Sequence, residues 1–291
     1  MAEQVPRTWP ALDLTLRAGS DPGPLFADQL ALALDELGVL AVEDDGRGRW
    51  RVYVADDQAR HAAASTLTAA FGHLAGVEPV DVPDEGWALK VQRDLGPVRV
   101  GRIVVAPPWD ATGLGTGEAD VAIVIEPSTG FGTGHHQSTR LCLRLLQDLP
   151  LEGRRVLDIG TGSGVLAIAA ARLGARAVAA IDHDEDAVRA AVENAARNNV
   201  RVEASLADLE KLAVPTADVV LANLTAITLR RFRVELVRLV AESGVLVVSG
   251  FTQDQVPLVE ESLSPLVVVT RVDEDDWVAL ALRRTVPDRS R

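Results

Sequence analysis

RRVLDIGTGSGVLAIAAARLGARAVAAID, residues 154–182, is the stretch of sequence that decides the fold of this chain. The apolar run 156–159 predicts a buried strand, and 177–181 predicts a second one. Between them, the Ala-rich run 165–173 predicts a helix that ends at Gly174. The two strands of such a βαβ unit should be parallel, with a right-handed crossover. The stretch therefore predicts an α/β domain.

The turn between the first strand and the helix contains three glycines, Gly160, Gly162 and Gly164. Glycine reaches positive φ easily and lets a ligand approach the bare backbone. The N–H groups that open the following helix favour negatively polarised ligand groups. Asp182, at the tip of the second strand, can accept both hydroxyls of a ribose. These features predict a nucleoside cofactor at the carboxyl edge of a parallel sheet.

Two overlapping patterns leave the identity of that cofactor open. Gly162-x-Gly164-x-x-Ala167 fits the dinucleotide fingerprint and favours NAD. Asp158-x-Gly160-x-Gly162-x-Gly164 resembles motif I of the S-adenosylmethionine-dependent methyltransferases. In that motif the acidic residue helps to hold the charged methionine end of the cofactor, a group that NAD lacks.

Length, charge and cysteine content exclude several classes of protein. A chain of 291 residues accommodates one large domain or two modest ones. The net charge of −13 argues against direct nucleic-acid binding and is compatible with a basic protein substrate. One cysteine, Cys142, allows no internal disulfide, and no His or Cys cluster predicts a metal site. We find no secretory signal and no membrane-spanning apolar stretch, so the expected compartment is the cytoplasm.

The remaining pattern divides the chain into three parts. Residues 1–82 follow the order βαββαβ and predict a ferredoxin-like α+β domain for substrate recognition. Residues 83–127 are interpreted as a connector. Residues 128–291 alternate strands and helices and end in a hairpin, which predicts a Rossmann-like, mostly parallel sheet with a C-terminal antiparallel hairpin.

A polar stretch, PSTGFGTGHHQSTR, occupies residues 127–140 and precedes a predicted helix over 138–148. Ser138 or Thr139 is a candidate N-cap for that helix. So polar and glycine-rich a segment is costly to bury without a ligand, which favours an active-site loop.

Asn223 follows the apolar strand 218–222, at the edge of the sheet where ligands bind in such folds. Its side-chain oxygen, together with the next backbone carbonyls, can accept hydrogen bonds from an amine nucleophile. The competing interpretation is that Asn223 caps a helix over 225–240, a position that asparagine also favours.

Four segments together resemble the ribosomal protein L-eleven methyltransferases, the PrmA family: FGTGHHQSTRLCL, VLDIGTGSGVLAIAA, IDHD and ANLTA. The resemblance implies a class I methyltransferase that uses S-adenosylmethionine to N-methylate lysine or other amino groups of a basic large-subunit ribosomal protein. We expect the enzyme to be a monomer. It implies an acceptor site at Asn223 and Leu224. The implied cofactor contacts are Phe131, Thr133, His136, Thr139, Asp158, Gly160, Gly162, Gly164, Asp182 and Asn223.

The chain departs from the family pattern near the acceptor, where Leu224 and Thr225 stand in place of the common Ile-Leu pair. The same chemistry on an acceptor other than the ribosomal protein, either another protein or a small amine, is therefore a second hypothesis. An NAD-dependent oxidoreductase and a non-catalytic protein that docks on the ribosome are two further hypotheses.

Overall fold

The computed structural model describes residues 8–20, 26, 29–30, 33–34, 37, 39, 41–44, 48–83, 96–111, 120–126, 134–211 and 214–284. The chain divides into two compact units, Met1–Asp94 and Leu95–Arg291. This division differs from the predicted connector over 83–127, whose described strands belong to the second unit. The reason is burial, because Ile103, Val105 and Ile123 pack into the core of that unit.

The described elements have well-defined bounds. The strands are β1 (Thr8–Leu16), β2 (Ala41–Asp44), β3 (Arg49–Tyr53), β4 (Ala75–Pro83), β5 (Val98–Val100), β6 (Ile103–Ala106), β7 (Val121–Val124), β8 (Arg155–Ile159), β9 (Ala177–Asp182), β10 (Glu203–Leu206), β11 (Ala217–Asn223), β12 (Val240–Thr252), β13 (Leu266–Glu274) and β14 (Trp277–Arg284). The α-helices are α1 (Asp57–Phe71), α2 (Gln137–Gln147), α3 (Val165–Arg172), α4 (Glu185–Arg197), α5 (Ala226–Arg231), α6 (Arg233–Leu239) and α7 (Val256–Ser262).

The first unit contains a four-stranded antiparallel sheet in the order β2-β3-β1-β4. This is the strand order of the ferredoxin-like split βαβ pattern. Alternate residues of β1, Leu12 and Leu14, are fully buried and pack with Leu67 and Phe71 of α1. Asp56 begins α1 by accepting a hydrogen bond from the N–H of Ala59 at 2.8 Å, as its position predicts.

The second unit is built on a seven-stranded sheet in the order β10-β9-β8-β11-β12-β14-β13. The first five strands in this order run parallel, and β14 is antiparallel to both of its neighbours. A separate three-stranded sheet is formed by β5, β6 and β7. The large sheet confirms the predicted Rossmann-like architecture with its C-terminal hairpin.

Successive side chains of the central strands point to opposite faces of the large sheet, so the core has two parts, one on each face. Val156 of β8 packs with α2 and α3 on one face, whereas Leu157 packs with α5, α6 and α7 on the other. Burial on both faces explains why these strands are almost uninterrupted apolar runs.

The predicted single helix over 225–240 is wrong. The structure has two short helices that meet at Phe232, where φ is −97° and ψ is +20°. The chain enters β12 already at Val240, which pairs with Ala217. Since α6 ends at Leu239, one residue before the predicted end, the difference from the prediction is the break at Phe232.

Candidate active site

The glycine turn between β8 and α3 has the geometry that the sequence predicts. Gly160, Gly162 and Gly164 have φ values of +69°, +52° and +83°, a region that glycine adopts at little cost. The N–H groups of Gly160 and Thr161 both donate to the carbonyl of Ile181, at 2.9 and 3.1 Å. The turn is thereby fixed beside the carboxyl end of β9.

Side chains at two of these glycines would collide with their neighbours. A Cβ on Gly164 would lie 3.0 Å from Cα of Ala191, so glycine lets α4 pack against the turn. A Cβ on Gly160 would lie 2.6 Å from Cδ2 of Leu224. The predicted cofactor turn and the predicted acceptor residue are thus in direct contact.

Asp158 lies in β8, two residues before the glycine turn, and is only 1% exposed. Its Oδ2 accepts hydrogen bonds from Oγ1 of Thr161 at 2.7 Å and from the N–H of Ala167 at 3.2 Å. Burial raises its pKa to about 7, although these two hydrogen bonds act in the opposite direction. Among the described residues, no group hydrogen bonds to its Oδ1. A buried carboxylate oxygen without a partner is costly, so this atom fits a site for a positively charged group.

Asp182 ends β9 and faces the glycine turn. Its Oδ2 accepts a hydrogen bond from the N–H of Gly162 at 3.0 Å, and its Oδ1 accepts one from the N–H of Asp184 at 3.2 Å. Burial alone would raise the pKa of Asp182, but hydrogen bonds from His183 and from these two N–H groups outweigh it and hold the pKa below its ordinary value. Asp182 is therefore ionised at neutral pH. Oδ2 keeps a further lone pair, which fits one hydroxyl of a ribose, and Oδ1 can accept the second when the exposed His183, whose Nδ1 lies 3.3 Å away, turns aside.

The first turn of α2 differs from the prediction at its cap. Ser138 and Thr139 are not N-caps, because they lie inside the helix and are buried. The N-cap is His136, whose backbone is extended and whose Nδ1 accepts a hydrogen bond from the N–H of Ser138 at 3.3 Å. Burial, and then the charge of Arg140, lower the pKa of His136, so the ring is neutral at neutral pH.

Asn223 is half-buried at the carboxyl end of β11. Its Nδ2 donates a hydrogen bond to Oγ1 of Thr139 at 3.3 Å. The competing interpretation as a helix cap is wrong, because Thr225 caps α5 by accepting from the N–H of Thr228. Since Thr139 engages the amide nitrogen, the side-chain oxygen of Asn223 is the group that can serve a ligand.

Two asparagines outside the predicted motifs join the glycine turn to the end of β7. Asn194 of α4 donates to the carbonyl of Ser163 at 3.0 Å and accepts from the N–H of Glu126 at 2.9 Å. Asn198 accepts from the N–H of Val124 at 2.8 Å. A sequence signal exists for this pair, because Asn194 and Asn198 are spaced four residues apart, on the buried face of an amphipathic helix.

The hairpin of β13 and β14 makes a second contact that local sequence does not indicate. Nε of Arg140 donates to Oε1 of Glu274 at 3.0 Å, across 134 residues of sequence. The ring of His136 packs edge-on against Trp277, with 4.5 Å between the ring centroids. The first turn of α2 is therefore held by the hairpin.

Two of the predicted cofactor contacts, Phe131 and Thr133, lie outside the described residues, and their roles stay predictions. The stretch 127–140 is described from Gly134 onward. A Cβ on Gly134 would lie 3.1 Å from Cγ1 of Val105, so this end of the stretch lies against β6.

The sheet order, the glycine turn after β8 and the acidic residue at the end of β9 define a class I S-adenosylmethionine-dependent methyltransferase. Within the described part of the chain, no helix is both long and apolar enough to cross a bilayer.

The chain belongs to the ribosomal protein L11 methyltransferase (PrmA) family, whose sequence model matches residues 48–285. A ribosomal protein L11 methyltransferase from Pelotomaculum thermopropionicum is 37% identical over 274 residues, which cover 90% of this chain and 88% of that protein. The one from Symbiobacterium thermophilum is 39% identical over 213 residues, which cover 71% and 69%. Membership decides between the two cofactors that the glycine turn left open, in favour of S-adenosylmethionine.

A solved structure supports the same assignment. The crystal structure of ribosomal protein L11 methylase from Lactobacillus delbrueckii subsp. bulgaricus matches with a TM-score of 0.61 and 28% identity. The match covers 66% of this chain and 100% of that one.

Proposed function

We propose that this enzyme transfers methyl groups from S-adenosylmethionine to lysine or other amino groups of ribosomal protein L11. The observation that carries the proposal is the contact between the glycine turn and the end of β11. Leu224 packs on Gly160, and Asn223, the last residue of β11, immediately precedes it. An amine bound at Asn223 and Leu224 would thus be next to the cofactor.

The residues proposed to hold the cofactor are the glycine turn, Asp182 and Asp158. Asp182 would accept the ribose hydroxyls, and Oδ1 of Asp158 would face the positively charged end. S-adenosylmethionine supplies a methyl group on a sulfonium, with a neutral thioether as the leaving group. The protein is therefore required mainly to position the acceptor and to exclude water.

The acceptor amine must be neutral when it reacts, although a free lysine has a pKa of about 10.4. In the proposed mechanism its proton passes to water before the amine enters the site. The side-chain oxygen of Asn223 and the carbonyl of Leu224 accept hydrogen bonds from the amine N–H groups, which aims the lone pair. We assign no base role to His136, because its Nδ1 already serves as the cap of α2.

We propose further that residues 1–82 recognise the ribosomal protein and that the enzyme acts as a monomer in the cytoplasm. The net charge of −13 supports a basic protein partner, since opposite charges speed encounter at low salt. The same charge disfavours direct binding to nucleic acid.

The test combines calorimetry with mass spectrometry. The enzyme is titrated with S-adenosylmethionine and with NAD, and then incubated with the first of these and purified ribosomal protein L11. We expect binding of S-adenosylmethionine alone and mass increments of one or more methylene units on L11. A second basic ribosomal protein and Nα-acetyl-lysine serve as comparison acceptors. Methylation of a comparison acceptor in preference to L11 would contradict the proposed substrate but not the chemistry.

A further inference from the structure

Gly250 lies in an irregular part of β12, next to the proposed acceptor site. The register between β12 and β14 shifts between Val248 and Phe251, which places a β-bulge at Ser249 and Gly250. Gly250 has a φ of +98°. Bulges of this kind re-aim a strand and occur often beside active sites.

The bulge fixes the backbone of Leu224 from one side. The N–H of Leu224 donates to the carbonyl of Ser249 at 2.9 Å. Ser249 is itself fully buried, and its Oγ donates to the carbonyl of Val278 at 2.7 Å. The peptide of Leu224 is therefore tied to the central strands and cannot adjust independently of them.

The space that a side chain at position 250 would need is occupied by the backbone of Leu224. A Cβ on residue 250 would lie 2.5 Å from the carbonyl oxygen of Leu224, 2.8 Å from its carbonyl carbon and 3.0 Å from its nitrogen. All three are backbone atoms, so no side-chain rotation relieves the collision. Ordinary contact begins at 3.4 Å, so the oxygen would have to move by about 0.9 Å, a displacement large enough to disturb an aligned reaction.

We propose that Gly250 is a positioning residue for methyl transfer. Its missing side chain lets the carbonyl of Leu224 occupy the place from which it accepts a hydrogen bond from the acceptor amine. This inference rests on the proposed function, which assigns that carbonyl to the acceptor. It adds a residue of β12 to a site otherwise formed by β11 and the glycine turn.

Gly174 offers a matched control for the backbone strain of a substitution. Its φ of +97° is almost the same as that of Gly250, so alanine is strained to a similar degree at both positions. However, the nearest atom to a Cβ on Gly174 is Cα of Glu152, at 4.0 Å. Gly174→Ala therefore reproduces the strain of Gly250→Ala without the collision at Leu224.

The experiment compares the wild type, Gly250→Ala and Gly174→Ala with ribosomal protein L11 as the acceptor. Calorimetric titration with S-adenosylmethionine gives the affinity and the fraction of competent sites, and kcat is normalised to that fraction. We expect kcat of Gly250→Ala to fall by about 100-fold relative to Gly174→Ala, the scale of a misplacement near 1 Å. The affinity for S-adenosylmethionine should be alike in the two variants.

Equal kcat values in the two variants would overturn the inference, since Gly250 would then serve only the bend of β12. A loss of cofactor affinity confined to Gly250→Ala would also overturn it, because the residue would then act on cofactor binding and not on the acceptor. If instead the wild type binds S-adenosylmethionine but methylates no L11, the proposed function itself fails, and the inference fails with it.

Discussion

The two halves of the site are constructed differently. The cofactor half is local, since Asp158, the glycine turn and Asp182 belong to one βαβ unit and hydrogen bond to one another. The acceptor half is assembled from distant segments. Asn223 is bonded to Thr139, 84 residues away, and Leu224 rests on the bulge of β12.

This difference has a consequence for how each half responds to change. The local half depends on one turn and should keep its shape when remote elements move. The acceptor half depends on the relative placement of α2, β11 and β12, so small shifts of any of them reach the acceptor. Four substitutions test this contrast, from the largest expected effect to the smallest.

Asn223→Ala should have the largest effect, on turnover. It removes an acceptor oriented toward the amine, a change that typically lowers kcat by about 100-fold, whereas the affinity for S-adenosylmethionine should change little. Single-turnover methylation of L11 and calorimetry measure the two quantities. Thr225→Ala is the control, because it removes the cap of α5 at a cost of about 1 kcal/mol in stability and should keep turnover. Equal losses of turnover and affinity in Asn223→Ala would assign Asn223 to the cofactor half.

Asp182→Ala should lower the affinity for S-adenosylmethionine more than it lowers turnover. Loss of a charged hydrogen-bond acceptor for the ribose should weaken cofactor binding by about 1–3 kcal/mol, with kcat at saturation less affected. Asp184→Ala is the control, since it removes only the N-cap of α4, where Asp184 accepts from the N–H of Asp186. If the Asp182 variant binds S-adenosylmethionine as well as the wild type does, the ribose assignment is wrong.

Asn194→Asp tests whether the cofactor half depends only on local contacts. The change keeps the shape of the side chain but removes the N–H that donates to the carbonyl of Ser163. The free energy of unfolding should therefore fall by about 1–3 kcal/mol, whereas the affinity for S-adenosylmethionine should change little. Urea unfolding measures the stability, and calorimetry measures the affinity.

Asn199→Asp is the control for the added negative charge. Asn199 lies just after α4, is exposed and has a φ of +54°, a conformation that aspartate also tolerates. Its substitution should leave both quantities near their wild-type values. A large loss of cofactor affinity in Asn194→Asp alone would show that the cofactor half also depends on distant contacts.

Asp158→Asn should have the smallest effect in acid, where Asp158 is protonated, and an effect on stability that grows as the pH rises toward about 7. The folded-state pKa of Asp158 is raised to about 7 from its ordinary value of 3.8, so the folded protein holds a proton that the unfolded chain releases. The stability that this provides is present below the ordinary pKa and is lost as the pH rises through about 7. The wild type should therefore lose stability relative to the variant between about pH 4 and about pH 7.

Urea unfolding of the apo proteins at several pH values measures this difference, and shifts from other titrating groups cancel between the two proteins. A difference that stays constant with pH would mean that Asp158 is ionised in the folded state. That result would mean that other contacts offset the effect of burial on its pKa even without cofactor.

Features that depend on local contacts could be predicted from the sequence, whereas features that depend on contacts between distant segments could not. The glycine turn was predictable because its strand, turn and helix signals are contiguous, and α3 ends at Arg172 just before Gly174. The cap of α2 was not, because the choice of His136 over Ser138 depends on the burial of the first turn. The separation of α5 from α6 at Phe232 was not predictable either, because apolar residues continue at helical spacing through the break.

The contact of Gly250 with Leu224 was not predictable from local sequence either. Glycine at position 250 indicates a bend in β12, but its partner is set by the parallel register that aligns Asn223 with Ser249. The position of Asn223 at the ligand edge of the sheet was predictable, because this polar residue directly follows a buried parallel strand. The hydrogen bond between Asn223 and Thr139 was not predictable, because the two residues are distant in sequence.

The position of β14 in the large sheet bears on synthesis of the chain. β14 lies between β12 and β13, although it follows both in sequence. β13 therefore cannot join the sheet through its native partner until residues 277–284 have left the ribosome tunnel. Until then the edge of β12 that carries Ser249 lacks its antiparallel partner, and the Oγ of Ser249 lacks the carbonyl of Val278 to which it donates.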